Sequence, residues 1–373
     1  MKVCHVITRL IIGGAQENTV ATCIGLRRLG YECDLVVGQQ TGPEGSLHGK
    51  TREAGVPIVV IEELRRAPNP VLDVAACRAL RRLFEKNRYD IVHTHSGKAG
   101  IVGRLAARLA GVPVVVHTIH GPSFYRYQNP VGNWIFRGLE QVAGEWTTQF
   151  VSVADAMTEQ YLAAGIGTSS QYVTIHSGMN IETFVRTPPV PSKNELVVGK
   201  VARLFRQKGH EYLFEAAPRI VEAVPNVKFL LVGDGILRER LERRAERMGL
   251  RDRFEFAGLV PPEEIPGYIA RMDVLVHLSL REGLPRTLPQ ALACGKPVVA
   301  FDVDGAREVC LDGKTGCLVR AEDSAGVAEA VIRLLQDKSL AARLGTQGRE
   351  LVREEFAEEL MVHRIDELYR RLR

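Results

Sequence analysis

Short runs of Val, Ile and Leu alternate with longer helical patterns along nearly the whole chain, and this alternation constrains the fold more than any other feature. The apolar runs fall at residues 2–8, 33–38, 57–61, 90–95, 113–119, 149–153 and 172–176, and again at 196–202, 228–232, 254–256, 274–278 and 297–301. Helical periodicity occupies 17–29, 71–87 and 98–110 between them. Runs that are apolar throughout, rather than at every second residue, predict strands buried on both faces. Helices between such strands supply the crossover that parallel pairing requires. Two series of this kind predict two doubly wound α/β domains, a number that suits 373 residues. The segment Thr187-Pro188-Pro189-Val190-Pro191-Ser192-Lys193 suits neither a helix nor a central strand and reads as the linker. The expected domains are therefore 1–187 and 188–352, with a terminal helical segment over 353–373.

Several function classes fall away early. The formal net charge of +5 is too mild for nucleic-acid binding, and the arginines at 238, 240, 243, 244 and 247 lie in a polar helical pattern that reads as a solvated face. The opening MKVCHVITRLIIGG is broken by His5 and Arg9 and has no small-residue cleavage site after it, so it reads as a first strand rather than a signal peptide. No stretch approaches the ~20 apolar residues of a spanning helix. The seven cysteines form no C-x-x-C pair and lie in apolar surroundings, which predicts buried thiols in a reducing compartment and a cytoplasmic location.

In open α/β sheets ligands bind beyond the carboxyl ends of the strands, where helix N-termini offer N–H groups and partial positive charge. Candidate residues are those that follow strands. Gly13-Gly14 follows the first run; adjacent glycines allow backbone to approach an anion closely, though they also serve in plain turns. Arg203 and Lys208 lie on one loop after Val201 and suit a diphosphate, Arg as a fork and Lys as a point charge; an exposed basic loop is the alternative. His93 and His95 share a strand face, and His117 and His120 end the next strand. No carboxylate is spaced with them as a metal ligand would be, so no metal is expected, and His120, at a strand tip, is the candidate to touch a ligand. Asp302 and Asp304 form a D-x-D that suits either a cation clamp or a turn. Gly49-Lys50-Thr51 and Gly313-Lys314-Thr315 end like phosphate-binding P-loops but lack the first glycine at the required spacing. Glu282 stands between an apolar run and a helix opening at Pro285 or Arg286, followed by Gly283 and Leu284, whose N–H groups flank the carboxylate. It either receives sugar hydroxyls or only stabilises the positive end of the helix.

Taken together, these segments resemble the retaining glycosyltransferases of family 4 (glycosyl transferases group 1). The resemblance rests on the Gly13-Gly14 turn, DIVHTHSGKAGIVGRLAARLAG (90–111), HTIHG (117–121), VARLFRQKGHEYLFEA (201–216), LVGDG (231–235), REGLPRTLPQALACGKPVV (281–299) and GAREV (305–309), in this order over essentially the whole chain. It implies the GT-B architecture: two Rossmann-like domains facing a central cleft, the first binding the acceptor, the second the nucleotide sugar, with the C-terminal helix crossing back to the first. It implies roles for single residues. Glu282, with the backbone of Gly283 and Leu284, holds donor-sugar hydroxyls; Arg203 and Lys208 bind the diphosphate; Gly14 faces the same phosphates; His120 lies by the reacting sugar. The sequence departs from the family where a second Glu, separated from the first by seven residues, contacts the ribose; here that position is Gln290. An amide still pairs with a diol but gives up the charge-assisted bond, worth about 1 kcal/mol more. Asp304 stands where glycine is frequent.

The expected activity is that of a hexosyltransferase. It moves a sugar from a nucleotide-diphosphate sugar to an acceptor hydroxyl with retention, in cell-surface polysaccharide or glycolipid synthesis. Neither metal nor other cofactor is expected. The expected partners are the donor and a saccharide or lipid-linked acceptor, with peripheral contact to the inner membrane face. Phe124, Tyr125, Tyr127, Trp134 and Phe136 form either an acceptor or membrane-surface element or buried core. A nucleotide-sugar epimerase on the same fold and a non-catalytic nucleotide- or sugar-binding protein are the alternatives.

Overall fold

The computed structural model of the chain describes residues 1–40, 45–125, 128–188, 190 and 194–373. The chain forms two compact units, Met1–Met179 with Glu358–Arg373, and Asn180–Ala357. The first unit is built on a parallel sheet of seven strands: β1 (Lys2–Ile7), β2 (Glu32–Val37), β3 (Ile58–Val60), β4 (Ile91–His95), β5 (Val114–Ile119), β6 (Gln149–Ser152) and β7 (Tyr172–Thr174). Their order is β3-β2-β1-β4-β5-β6-β7. Alternate residues of β1 enter different cores. Val3 and Ile7 pack with Leu35, Val37 and Val116 under the helices Gly14–Arg28 and Glu358–Leu372. Cys4 and Val6 pack with Val36, Val92 and Val115 against Ala76, Leu80 and Phe84 of the helix Pro70–Asn87. Both sheet faces are covered, as the continuous apolar runs require.

The C-terminal helix owes its place to spacing. Met361, Val362, Ile365, Leu368 and Tyr369 recur at the separations that line one helical face, and all are buried. Gly25 on the helix Gly14–Arg28 allows the close approach, since a Cβ there would lie 2.4 Å from Val362. The first unit also contains an ion pair with neither side chain exposed: Arg104 Nη2 lies 2.5 Å from Glu140 Oε2. Arg104 further donates to Gly100 O and Thr147 Oγ1, and Glu140 Oε1 accepts from Ser123 Oγ, so the buried charges are hydrogen-bonded on several sides.

The second unit carries six parallel strands: β8 (Leu196–Val201), β9 (Val227–Val232), β10 (Phe254–Gly258), β11 (Val274–His277), β12 (Val298–Phe301) and β13 (Gly316–Val319), in the order β10-β9-β8-β11-β12-β13. Val198, Phe229, Val276 and Val299 form its core with Leu213, Phe214 and Ala217 of the helix His210–Ala223 and Val327, Val331 and Leu334 of the helix Ser324–Gln336. β13 escapes the sequence reading because it begins with Gly and Cys, which leaves no apolar β-branched run to mark it.

The unit boundaries differ from the expected 187/188 and 352/353. The helix Glu182–Val185 already belongs to the second unit: Phe184 is buried, and its carbonyl accepts the Cys294 thiol. Val190 N donates to Ala270 O, also within that unit; Pro189 and 191–193 of the expected linker lie outside the described residues. At the other end the helix Lys338–Glu355 runs past 352, and Glu358 N donates to Met179 O as the chain re-enters the first unit.

Candidate active site

Each sheet has a switch point, where the strand order reverses: β1/β4 in the first unit and β8/β11 in the second. Ligand crevices form beyond the carboxyl ends of such strands. The candidate residues collect at both places.

In the second unit the chain leaves β8, makes a 3₁₀ turn at Arg206–Lys208 and starts a helix at His210. Gly209 sits between them with φ +60°, and a Cβ there would lie 1.9 Å from Leu278 O, just past β11. Only glycine allows this contact. Leu280 N also donates to Gln207 O at 2.9 Å. The two loops are thus held together, and Lys208 Nζ comes within 2.5 Å of Glu282 Oε1, the side chains being 22% and 16% exposed. Glu282 does not cap the helix Thr287–Ala293; its N-cap residue is Arg286, so the helix opens one residue past the later of the two expected openings. The carboxylate faces Lys208 instead, with His277 Nε2 3.3 Å from Oε1 but not aligned as a hydrogen bond. His277 Nδ1 pairs with Thr287 Oγ1 at 3.1 Å.

The D-x-D is divided between two tasks. Asp302 binds the Arg307 guanidinium through both oxygens, while Asp304 Oδ2 accepts the Glu282 N–H at 2.7 Å. Asp304 has φ +50°, a left-handed conformation that accounts for the frequency of glycine there in the family. In this chain the aspartate carboxylate braces the Glu282 turn, and Gly305 N donates to Gly283 O beside it. Leu284 is buried, and Gln290 is half-buried within the helix, its N–H bonded to Arg286 O. Arg203 is exposed, with its guanidinium 5.2 Å from the centre of the Phe205 ring. The structure therefore brings Lys208 and Glu282 together, whereas the Arg203 side chain turns onto Phe205.

Burial alone would raise the Glu282 pKa, but the Lys208 ammonium and His277 outweigh it and hold the carboxyl well below its usual range. Behind this pair lies Lys200, a buried residue of β8 not foreseen in the sequence. Burial pushes its pKa down to about 7, Lys208 adds to the effect, and Glu282 and Glu211 oppose it. His210, also missed, donates its Nε2–H to Arg203 O at 3.0 Å, and burial lowers its pKa to about 3. A charged residue inside a run as apolar as LVVGKV was the available signal for Lys200.

In the first unit Gly13 is the N-cap of the helix Gly14–Arg28, and Gly14 opens it in an exposed position. His120 follows β5, with Nε2 3.0 Å from His95 Nδ1. His95 Nε2 lies 2.9 Å from His5 Nδ1, and His5 Nε2 3.3 Å from Tyr369 Oη. The same hydroxyl is 2.6 Å from His93 Nδ1, and His93 Nε2 is 2.6 Å from Thr118 Oγ1. His117 stands apart, paired with Thr94 Oγ1. Burial pushes the His5 pKa down to about 3 and those of His93, His95 and His117 well below the usual value, so all four rings are neutral. His5 and Tyr369 could not be assigned from periodicity: His5 meets His93 only because β1 pairs with β4.

The aromatic segment divides as well. Phe124 packs against the buried Tyr161 and Phe136 is half-buried, whereas Trp134 is 76% exposed. Trp134 shares the helix Pro130–Gly144 with Val131, Ile135, Leu139 and Val142, all exposed. Tyr127 lies outside the described residues. Among the described residues no helix is long and apolar enough to cross a membrane.

Two family models match the chain, one per unit: the Glycosyl transferase 4-like domain over residues 13–178 and Glycosyl transferases group 1 over residues 182–351. UDP-Gal:alpha-D-GlcNAc-diphosphoundecaprenol alpha-1,3-galactosyltransferase of Escherichia coli is 30% identical over 355 residues, covering 91% of this chain and 89% of that protein. The GDP-mannose-dependent alpha-(1-6)-phosphatidylinositol monomannoside mannosyltransferase of Mycolicibacterium smegmatis is 28% identical, with 80% of each chain covered. Among solved structures, sucrose-phosphate synthase of Thermosynechococcus elongatus superposes with a TM-score of 0.85 at 23% identity over 100% of this chain and 99% of that one. Anabaena HepE in complex with UDP and glucose superposes with a TM-score of 0.83 at 22% identity over 99% of each chain, a likeness of fold. With a doubly wound sheet in each unit, and with relatives that match along nearly the full length, the chain belongs to the family-4 retaining glycosyltransferases, hexosyltransferases of the GT-B fold.

Proposed function

We propose that this glycosyltransferase binds a nucleoside-diphosphate sugar at the β8/β11 switch point and transfers the sugar to a hydroxyl of a lipid-linked saccharide, without a metal ion. The observation that carries the reading is the Lys208–Glu282 pair, in which a cation and a carboxylate held well below its usual pKa stand side by side at a strand end. In the proposed complex Glu282 accepts hydrogen bonds from hydroxyls of the donor sugar, and Lys208 turns toward the diphosphate. Arg203 joins it there by leaving the Phe205 ring, and Gly14 faces the same phosphates. Lys208 and Arg203 then offset the charge that grows on the leaving diphosphate as its bond to the anomeric carbon breaks. The acceptor oxygen bonds that carbon on the face the diphosphate leaves, and a phosphate oxygen takes the acceptor proton, so configuration is retained. Gln290 pairs with the ribose diol, and His120 lies by the reacting sugar. Transfer rather than interconversion of the sugar separates this reading from an epimerase, which the comparisons do not favour.

Two observations support a lipid-linked acceptor and peripheral membrane contact. The two relatives named above act, by their names, on lipid-borne acceptors. The stripe Val131, Trp134, Ile135, Leu139 and Val142 gives one helix an exposed apolar face of the kind that lies in a membrane interface. Thermal shift and nucleoside-diphosphate release, measured across UDP-, GDP- and ADP-sugars, test the donor. Loss of turnover in Glu282→Ala with nucleoside-diphosphate affinity retained is the expected result; full turnover in that variant refutes the site. Co-sedimentation with anionic phospholipid vesicles tests the surface. Trp134→Glu with Ile135→Glu releases the protein if the stripe docks, and unchanged sedimentation rules it out.

A further inference from the structure

We propose that Tyr369, on the C-terminal helix, sets the tautomer of His120 through an unbroken relay of buried imidazoles, and so acts as a positioning residue. The relay runs Tyr369 Oη, His5, His95, His120, each link between 2.9 and 3.3 Å, with a side arm from the same hydroxyl through His93 to Thr118 at 2.6 Å per link. A neutral imidazole carries one N–H and one lone pair, so once one link is oriented every other link follows. Burial keeps His5, His93 and His95 neutral, which is the condition for this coupling.

Two orientations satisfy every link and also place the Tyr369 hydroxyl proton in a hydrogen bond. In the first, Tyr369 O–H donates to His93 Nδ1, and His93 Nε2–H donates to Thr118 Oγ1. Tyr369 Oη then accepts from His5 Nε2–H, His5 Nδ1 accepts from His95 Nε2–H, and His95 Nδ1 accepts from His120 Nε2–H. In the second, every donor and acceptor is exchanged, and His120 carries its proton on Nδ1. The hydroxyl has one proton, and its two partners are not equivalent: His93 Nδ1 is 2.6 Å away and His5 Nε2 3.3 Å. Both links are hydrogen bonds in either orientation, but O–H donors make shorter bonds than N–H donors; the 3.3 Å link therefore suits His5 Nε2–H as donor, the O–H goes to His93, and the first orientation holds. His120 is then the Nε2–H tautomer, and its Nδ1 is the ring's acceptor. If His120 lies by the reacting sugar, as proposed above, that nitrogen receives a hydroxyl proton in a hydrogen bond; the relay itself does not depend on that reading.

The same side chains could be read as metal ligands, since nitrogens of His5, His93 and His95 lie within 4.8 Å of one another. The geometry favours the relay. The His93 and His95 rings are stacked at 4.4 Å with 24° between planes, which keeps their in-plane lone pairs from converging on one point. Their nitrogens are already joined in donor–acceptor pairs.

The test is long-range 1H–15N correlation on the full 15N-labelled protein, with the His120 signals identified by their loss in His120→Ala. The wild type is expected to show the Nε2–H pattern for His120; an Nδ1–H pattern overturns the proposal without any further variant. Tyr369→Phe removes the hydroxyl that orients both arms and is expected to give a mixture of tautomers at His120; an unchanged pattern in this variant also overturns it. Turnover in Tyr369→Phe should fall about five- to tenfold, the effect of one misoriented neutral hydrogen bond, with KM for the donor unchanged and no further loss when Tyr369→Phe is added to His120→Ala. If His120→Ala retains wild-type turnover while the tautomer shifts as expected, the relay stands and the role proposed for His120 does not.

Discussion

Acidification to pH 5.5 should strip the first unit of most of its stability before any carboxylate is involved. Four of its histidines, His5, His93, His95 and His117, are buried and neutral. Their folded pKa values lie far below the ~6.5 of an unfolded chain, so as pH falls below that value the unfolded state takes up protons that the folded state refuses. Stability is full above ~6.5 and declines toward the folded values, near 3 for His5. Between pH 7.5 and 5.5 each histidine forfeits about 1.4 kcal/mol, and the four together about 5 kcal/mol, comparable with the whole stability of many domains. The assay is urea unfolding followed by tryptophan fluorescence. Both tryptophans, Trp134 and Trp146, lie in the first unit, so the signal reports it alone. At a slope of about 2 kcal/mol per molar urea, the midpoint should drop by about 2.5 M. A drop below about 0.5 M would mean that these rings are charged or accessible in the folded protein, and the neutral relay would fall with it.

Glu282→Gln should lower kcat/KM about 10- to 100-fold through loss of charge-assisted bonds to the sugar, while free nucleoside diphosphate binds as well or better because Lys208 no longer has a carboxylate 2.5 Å away; calorimetry showing equal weakening of both ligands would contradict the assigned role. Lys200→Met should raise stability at pH 7. The folded pKa near 7 means that the buried lysine destabilises increasingly as pH falls from about 10.5 to 7, by about 1.4 kcal/mol per unit, and the gain in the variant should vanish above pH 10 in pH-dependent melts. Glu140→Ala should cost about 3–5 kcal/mol by stranding Arg104 without exposure to water, whereas Arg104→Met with Glu140→Leu should be near neutral or stabilising; tryptophan-detected denaturation that ranks the two variants in the opposite order would refute the account.

Much of the fold was legible because parallel strands buried on both faces leave uninterrupted apolar runs, and the runs ending at Ile7, His95, Ile119, Val201 and His277 all proved to be strands. The filter of residues that follow strands found Lys208 and Glu282, which now touch, and His120. What failed was whatever depends on contacts distant in sequence. Phe184 belongs with Cys294, so the second unit begins before the stretch that looked like a linker. His5 became part of a cluster only through the pairing of β1 with β4, and Tyr369 only through the return of the last helix. Asp304 was unexplained until its left-handed backbone and its bond to Glu282 N were seen together.

Tyr369 and His5 touch across 364 residues of chain. The first unit therefore lacks the helix that seals one face of its sheet until Asn180–Ala357 has also been made. While Asn180–Ala357 is being made, Val3, Ile7 and the imidazoles beside them wait without that cover. A nascent chain halted before residue 358 should engage chaperones, and separate expression of 1–179 should yield soluble protein only when the segment 358–373 is supplied alongside it.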